Sequence, residues 1–377
     1  MTALLIQDGH VIDPSQNIDE VQTIAILNKK IVSKEEAQEN DPVVIQAKDC
    51  YVFPGLIDFH AHLYGGSVFG INPELLPATG VTAAVDAGTA GWINFRNFYQ
   101  GALSHSQIHL KAFINVSGIG QPGGGINEPL SPNAIHWESL EQQLSRYKDK
   151  LLGLKIRISK PIVGANGAKP LIDTFHFAHD RGIRVCVHVT NPVLPFPELL
   201  PLFQRGDIFC HVFEGTGDNL LGSNGKVVKE AWQARERGVI FDAANGRSNF
   251  SYKVAKEALK EGFLPDVISS DSTSYNFNLP EKVKNLPFIM SKYLNMGMEL
   301  PQVIERVTAV PAKLMGMQGQ IGTLAAGASG DVTICRMIEQ KVVFRDSLNT
   351  VHYGTKVLVP VMTILQGSVV YCNPAFN

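Results

Sequence analysis

What this chain of 377 residues has little of narrows it first. Its five cysteines, Cys50, Cys186, Cys210, Cys335 and Cys372, are scattered and include no Cys-x-x-Cys pair. An odd, dispersed set excludes a disulfide framework and reads as the reduced thiols of a cytoplasmic protein. Cys186 and Cys210 lie inside apolar runs, where core packing is the expectation. No apolar run approaches the ~20 residues of a membrane span. The opening Met1-Thr2-Ala3-Leu4-Leu5-Ile6 lacks the basic start, long apolar stretch and cleavage site of a signal peptide. Excess charge is missing too: 33 Lys and Arg against 35 Asp and Glu leave a formal net charge of -2. Such a balance offers no basic footprint for nucleic acid. The glycine-rich stretch 118–125 has no Gly-Lys-Ser/Thr, which argues against a phosphate loop and suits a mobile lid.

What is present is a globular composition, 45% hydrophobic and 18% charged, long enough for one large domain with an appendage. Residues 1 to 51 alternate short apolar runs with turn signals, around Leu4–Gly9, Thr23–Asn28 and Val43–Ile45, with a polar connector over 35–41. From 52 to 318 the rhythm becomes strand then helix. Strands are expected near Leu56–His62, Thr82–Asp86, Leu110–Val116, Gly153–Ile158, Arg184–His188, Asp207–Val212, Val239–Asp242 and Val267–Asp271. Helices are expected near Glu138–Lys150, Pro170–Arg181, Lys226–Arg237 and Ser251–Gly262. Eight strands in such alternation give the α/β class and a TIM (β/α)8 barrel, with a doubly wound open sheet as the alternative. Residues 319–377 return to short strands and pair with 1–51 in a small β-sandwich domain built from both termini. No repeat or low-complexity tract is visible.

Polar residues recur at the ends of these strands, which a barrel would gather at one mouth. In Pro54-Gly55-Leu56-Ile57-Asp58-Phe59-His60-Ala61-His62, positions i and i+2 share a strand face, so His60 and His62 project together. Imidazole nitrogen suits zinc and similar divalent ions. Lys155 stands inside the apolar strand Gly153-Leu154-Lys155-Ile156-Arg157, where burial favours the free amine. A free amine reacts with carbon dioxide to give a carbamate able to bridge two metals; the alternatives are a lysine that snorkels outward or pairs with a carboxylate. His188 and His211 tip the next two strands. Asp271 tips the last, as a metal ligand and proton acceptor or as a helix cap. Asn115, Ser117 and Asn191 follow further strand ends. The other histidines fall on expected helices, turns or the small domain and read as surface or packing residues.

With these residues the chain resembles the amidohydrolase superfamily over nearly its whole length. The resemblance runs through the Pro54–Asp58 lead-in, His60-Ala61-His62, Lys155, His188, His211, Asp271 and the C-terminal Gly322-Thr323-Leu324 to Ile334 stretch. It implies a binuclear metal-dependent hydrolase, with zinc as the usual metal. His60, His62 and Asp271 would hold one ion and His188 and His211 the other. Carboxylated Lys155 and a hydroxide would bridge them, and Asp271 would carry the proton to the leaving group. Within the superfamily the chain is most similar to a dihydroorotase-like, deacetylase branch, through Gly80–Thr82, Asp86–Gly91, Ile156–Ser159 and Ala231–Ala234. That likeness implies a small-molecule substrate, an acetylated amino or hydroxy acid, with a hydantoin-like cyclic amide as the alternative and a non-catalytic barrel subunit as a third.

Specific residues bear on the choice. Dihydroorotases carry an arginine two residues after the second histidine, where this chain has Tyr64. Lys155 argues against the adenine deaminases of the superfamily, which lack it. Arg157 either grips a substrate carboxylate or forms an ion pair behind the site. After strand seven the branch shows Gly-His-Gly, then Ser-Phe; here the run is Ala244-Asn245-Gly246-Arg247-Ser248-Asn249-Phe250. Asn245 cannot be a cation near neutral pH. Arg247 either favours a more acidic substrate or points to solvent. Apolar residues in the expected loops point to self-association as a homo-oligomer.

Overall fold

The apolar runs at the two ends of the chain find each other. The computed structural model describes residues 3–376. From the N-terminal side come β1 (Leu4–Asp13), β2 (Ile18–Leu27), β3 (Lys30–Val32), β4 (Val43–Gln46) and β5 (Tyr51–Pro54). The middle of the chain gives β6 (Leu56–Ala61), β7 (Val81–Gly91), β8 (His109–Asn115), β9 (Leu151–Arg157), β10 (Val185–His188), β11 (Ile208–Cys210) and β12 (Ile240–Asp242). The C-terminal side adds β13 (Val332–Arg345), β14 (Val351–Leu365) and β15 (Ser368–Cys372).

The terminal strands join in the order β15-β14-β13-β5-β1-β2-β3, with β4 also on β1. One continuous eight-stranded sheet therefore stands where two stacked sheets were expected. It stays continuous because β1 divides its edge. Leu4–Gln7 pairs with β4, and His10 and Val11 pair with β5. Ile6, Val11, Ile26, Val52, Ile334 and Ile364 form its apolar core. Two short strands expected around 331–344 merge into β13, whose pairing with β14 shifts register between Glu339 and Val342. The connector over 35–41 contains a short helix, Lys34–Gln38, capped by the Ser33 hydroxyl accepting from the Glu36 amide.

The chain passes from this sheet to the next through Gly55. A β-carbon there would lie 2.1 Å from Thr82 Oγ1, so only glycine allows the close crossing. The second sheet is parallel, in the order β12-β11-β10-β9-β8-β7-β6. Its strands match the expected ones to within a few residues, except that β7 extends to Gly91. The helices Trp137–Arg146, Lys169–His179, Lys229–Arg237 and Tyr252–Lys260 fall where expected, each shorter than read.

The eighth expected strand is not regular. Residues 267–272 nevertheless bond to both edges of the parallel sheet. The amides of Ala243, Asn245 and Gly246 donate to the carbonyls of Val267, Ser269 and Ser270. On the other side the Asp271 amide donates to the His60 carbonyl, and the His62 amide to that of Ser272. The ladder is interrupted because Asp58 Oδ1 accepts from the Ser270 amide, taking a place a backbone carbonyl would fill. Among the described residues no helix is long and apolar enough to cross a membrane.

Gly88, in β7, has φ of 78° and lies against Lys155. A β-carbon there would sit 2.3 Å from Lys155 Cβ. Gly88→Ala combines left-handed strain with overpacking, so a loss of about 2–4 kcal/mol in chemical denaturation is expected. Wild-type stability in that variant would contradict this packing.

Candidate metal centre

Four imidazoles meet where the parallel strands end, and three of them are aimed by a bond at the far nitrogen. His60 Nδ1 lies 2.9 Å from Asp242 Oδ2, and His62 Nδ1 lies 2.7 Å from Thr89 Oγ1. His211 Nδ1 donates to the Ala244 carbonyl at 2.7 Å. A carbonyl only accepts, so the proton of His211 is on Nδ1 and its Nε2 carries the lone pair. The Nε2 atoms of His60 and His62 lie 3.6 Å and 3.3 Å from Asp271 Oδ1. His188 presents the other nitrogen: its Nδ1 lies 2.7 Å from His211 Nε2. Asn249 Nδ2 donates to Asp271 Oδ2 at 2.9 Å, leaving Oδ1 to the histidines.

Backbone bends make this convergence. His211 has φ of 65°, Asp271 of 51° and Ala244 of 33°, all non-glycine residues in left-handed conformations. Such conformations cost of order 1 kcal/mol or more each and concentrate at functional sites. At His211 the bend breaks the strand alternation, so that Cys210 and His211 both reach the interior of the site.

Electrostatics keep the lone pairs free. Burial drives His60 and His188 well below the usual imidazole range, and it drives His211 down to about 3. Burial alone would raise the Asp271 carboxyl. The hydrogen bond with His62 and the fields of His60 and His211 outweigh it and hold the group well below the usual carboxylate range. Lys155 reverses the expectation from sequence. Burial favours its free amine, but the thiols of Cys186 and Cys210, then Asp271 and Asp242, hold its pKa above the ordinary value. Those neighbours come from β10, β11, β12 and residues 267–272, so the sequence around Lys155 does not reveal them.

Donor chemistry and spacing fit a divalent metal. One ligand atom each from His60, His62 and Asp271 lies within 4.8 Å of the others. Neutral imidazole with one carboxylate is a set that zinc and its neighbours accept. The bonds from Asp242, Thr89 and Ala244 are the outer-sphere supports that metal-binding histidines use. None of these supports was singled out in the sequence, although Asp242 ends its strand as His188 ends β10.

A cavity of about 300 Å³ opens above the cluster. His60, His62, Lys155, His188 and Asp271 line its floor, and Arg157 and Arg247 line its walls. His211 is fully buried beneath. The two arginines differ. Arg157 Nε and Nη2 both donate to the buried Glu128 at 2.5 Å, a bidentate pair that uses up one edge of the guanidinium. Arg157 thus forms an ion pair while it also lines the cavity. Arg247 sits over the Tyr275 ring at 5.7 Å and makes no ion pair among the described residues.

Tyr64, Asn191 and Asn245 do not line this cavity. The strand ends at Ala61, so alternation no longer carries Tyr64 to the mouth. Its ring packs on Phe98, 5.4 Å between centroids, in a separate groove. Asn245 is fully buried and donates to the Tyr293 hydroxyl at 3.0 Å. Asn191 turns with φ of 49° and sets its Oδ1 against Gly217. Asn115 is likewise buried, donating to the Gly88 carbonyl. Thr190, Asn249, Phe69 and Tyr275 line the cavity without having been expected there.

The support from Asp242 is testable. Asp242→Asn keeps the shape of the side chain but removes its charge beside His60. Divalent-metal affinity of the stripped protein, by titration calorimetry, should fall about 10- to 100-fold. Unchanged affinity would show that His60 does not depend on Asp242.

Among proteins of known sequence, the chain is 30% identical to a deacetylase of Agrobacterium fabrum, over 80% of this chain and 74% of that protein. It is 29% identical to a deacetylase of Enterococcus faecalis, over 85% and 86%. Among solved structures, an adenine deaminase superposes with a TM-score of 0.87 at 27% identity, covering 99% of this chain and 100% of the other. A dihydroorotase superposes with the same TM-score at 25% identity, covering 99% and 98%. The sequence profile of the amidohydrolase family matches residues 51–370, which contain every member of the histidine, lysine and aspartate cluster, and this chain belongs to that family of hydrolases.

Proposed function

We propose that the chain is a metal-dependent hydrolase of amide or ester bonds that removes acetyl groups from N-acetyl amino acids or O-acetyl hydroxy acids. The observation that carries this reading is the convergence of the four histidines, Lys155 and Asp271 under one cavity. The deacetylase names of the Agrobacterium and Enterococcus relatives support the choice of acyl group. In this reading residues 267–272 close the parallel sheet into a (β/α)8 barrel spanning 52–318, and 1–51 with 319–377 form the second domain.

His60, His62 and Asp271 would hold one ion and His188 and His211 a second, with carboxylated Lys155 joining them. Divalent ions there, zinc for this donor set, supply Lewis acidity to a carbonyl and acidify water near neutral pH. Lys155 is an ammonium while only thiols and carboxylates surround it; neighbouring cations would favour the free amine that carbon dioxide can carboxylate. Asp271, ionised and held by Asn249, is set to take the proton of the attacking water and return it to the leaving nitrogen or oxygen. Arg247, unpaired on the wall, suits a substrate carboxylate, whereas Glu128 already neutralises Arg157.

The likeness to the dihydroorotase structure favours a second reading, ring opening of a cyclic amide. One panel separates the two. Zinc-loaded, bicarbonate-treated protein is expected to release acetate from one class of N-acetyl amino acid or O-acetyl hydroxy acid. Hydrolysis confined to hydantoins or dihydropyrimidines would replace the deacetylase reading. On the active substrate, Asp271→Asn should lower kcat by about 10²-fold or more while most bound metal is retained. Near-wild-type turnover would remove Asp271 from its role.

A further inference from the structure

Beneath Lys155 lies a second set of donors that the hydrolase reading does not use. Cys186 Sγ and Cys210 Sγ are 3.3 Å apart, and both thiols are free. Lys155 Nζ stands 3.6 Å from the first and 3.8 Å from the second. Donor atoms of Cys186, Cys210 and His60 all lie within 4.8 Å of one another. We infer that these three residues form a binding site for a soft, thiophilic divalent cation, in which two sulfurs join one imidazole of the histidine–aspartate set.

The strands explain how two thiols arrive together. Cys186 precedes His188 by two residues on β10, so it faces the same interior one layer deeper. It is paired in register with Lys155 of β9. Cys210 is the register partner of His188, and the left-handed turn at His211 lets neighbouring side chains both reach inward. On their far side the thiols belong to an apolar layer with Ile57, Phe59 and Phe113. Packing alone would be satisfied there by alanine or valine. Two sulfurs that meet each other and also face an amine and an imidazole form a ligand set.

Thiolate sulfur selects soft and borderline ions such as cadmium, mercury and zinc, and discriminates against magnesium, calcium and manganese. Binding releases any proton the thiols carry. The set shares His60 with the centre above, so an ion held here competes for that imidazole. The inference stands whether or not the chain is a deacetylase, because its test reads the metal–sulfur bond directly.

The probe is cadmium, titrated into the metal-stripped full chain carrying Cys372→Ser, which removes the exposed thiol. The expected result is a saturable sulfur-to-cadmium charge-transfer absorption that excess magnesium does not reverse. Adding Cys186→Ser or Cys210→Ser should remove at least half of that absorption and weaken binding tenfold or more. His60→Asn should weaken binding and keep the absorption. Cadmium-113 resonance of the chain with both thiols intact needs no core substitution and should show the strongly deshielded signal of sulfur ligation. A signal typical of nitrogen and oxygen ligands alone, or absorption unchanged by both serine substitutions, would overturn the site.

Discussion

Four imidazoles share one buried cavity, and His60, His188 and His211 do not have to carry a charge there. Moving an imidazolium out of water into this interior would be expensive, and the fold removes the demand rather than meeting it. Burial drives His60, His188 and His211 toward the neutral form. Asp242, Thr89 and Ala244 then decide which nitrogen of His60, His62 and His211 faces the centre. The Asp271 carboxylate is kept ionised against its own desolvation by the hydrogen bond with His62 and by His60 and His211. Remove that mutual arrangement and the convergence of strand ends becomes a set of unpaired polar groups in a core.

The cations around the cavity divide along similar lines. Lys155 is compensated from below by two thiols. Arg157 is compensated from the side by Glu128, which the chain delivers from the loop between β8 and β9. Arg247 alone stays open to the cavity, resting on an aromatic ring. Among the described residues the wall therefore presents one arginine without an ion pair, although its sequence shows two.

Much of this was legible in the sequence because a parallel sheet with polar strand tips writes itself locally. His60 and His62, Lys155, His188 and His211 each stood out against an apolar run, and the strand ends bring them together. What the sequence hid depends on contacts across strands. Asp242 reads as an ordinary strand end until His60 is seen beside it. The charge of Lys155 depends on residues 31 and 55 positions away. Asn191 is expected at the mouth from its place after a strand, and Tyr64 and Asn245 from their places in the family's motifs. Asn191 itself turns at positive φ, and Asn245 lies between Ala244 and Gly246, which both do. Residues 267–272 kept their neighbours but lost regular strand form, because the Asp58 side chain substitutes for a backbone acceptor. The eight-stranded terminal sheet follows from β1 sharing its edge, a choice of partners that alternation cannot specify.

The most direct test of the centre is anomalous diffraction from crystals of zinc-loaded protein. Two peaks are expected at the strand ends, one among His60, His62 and Asp271 and one beside His188 and His211, with density extending from Lys155 Nζ between them. A protein that binds zinc elsewhere, with no anomalous density among these histidines, would contradict this arrangement.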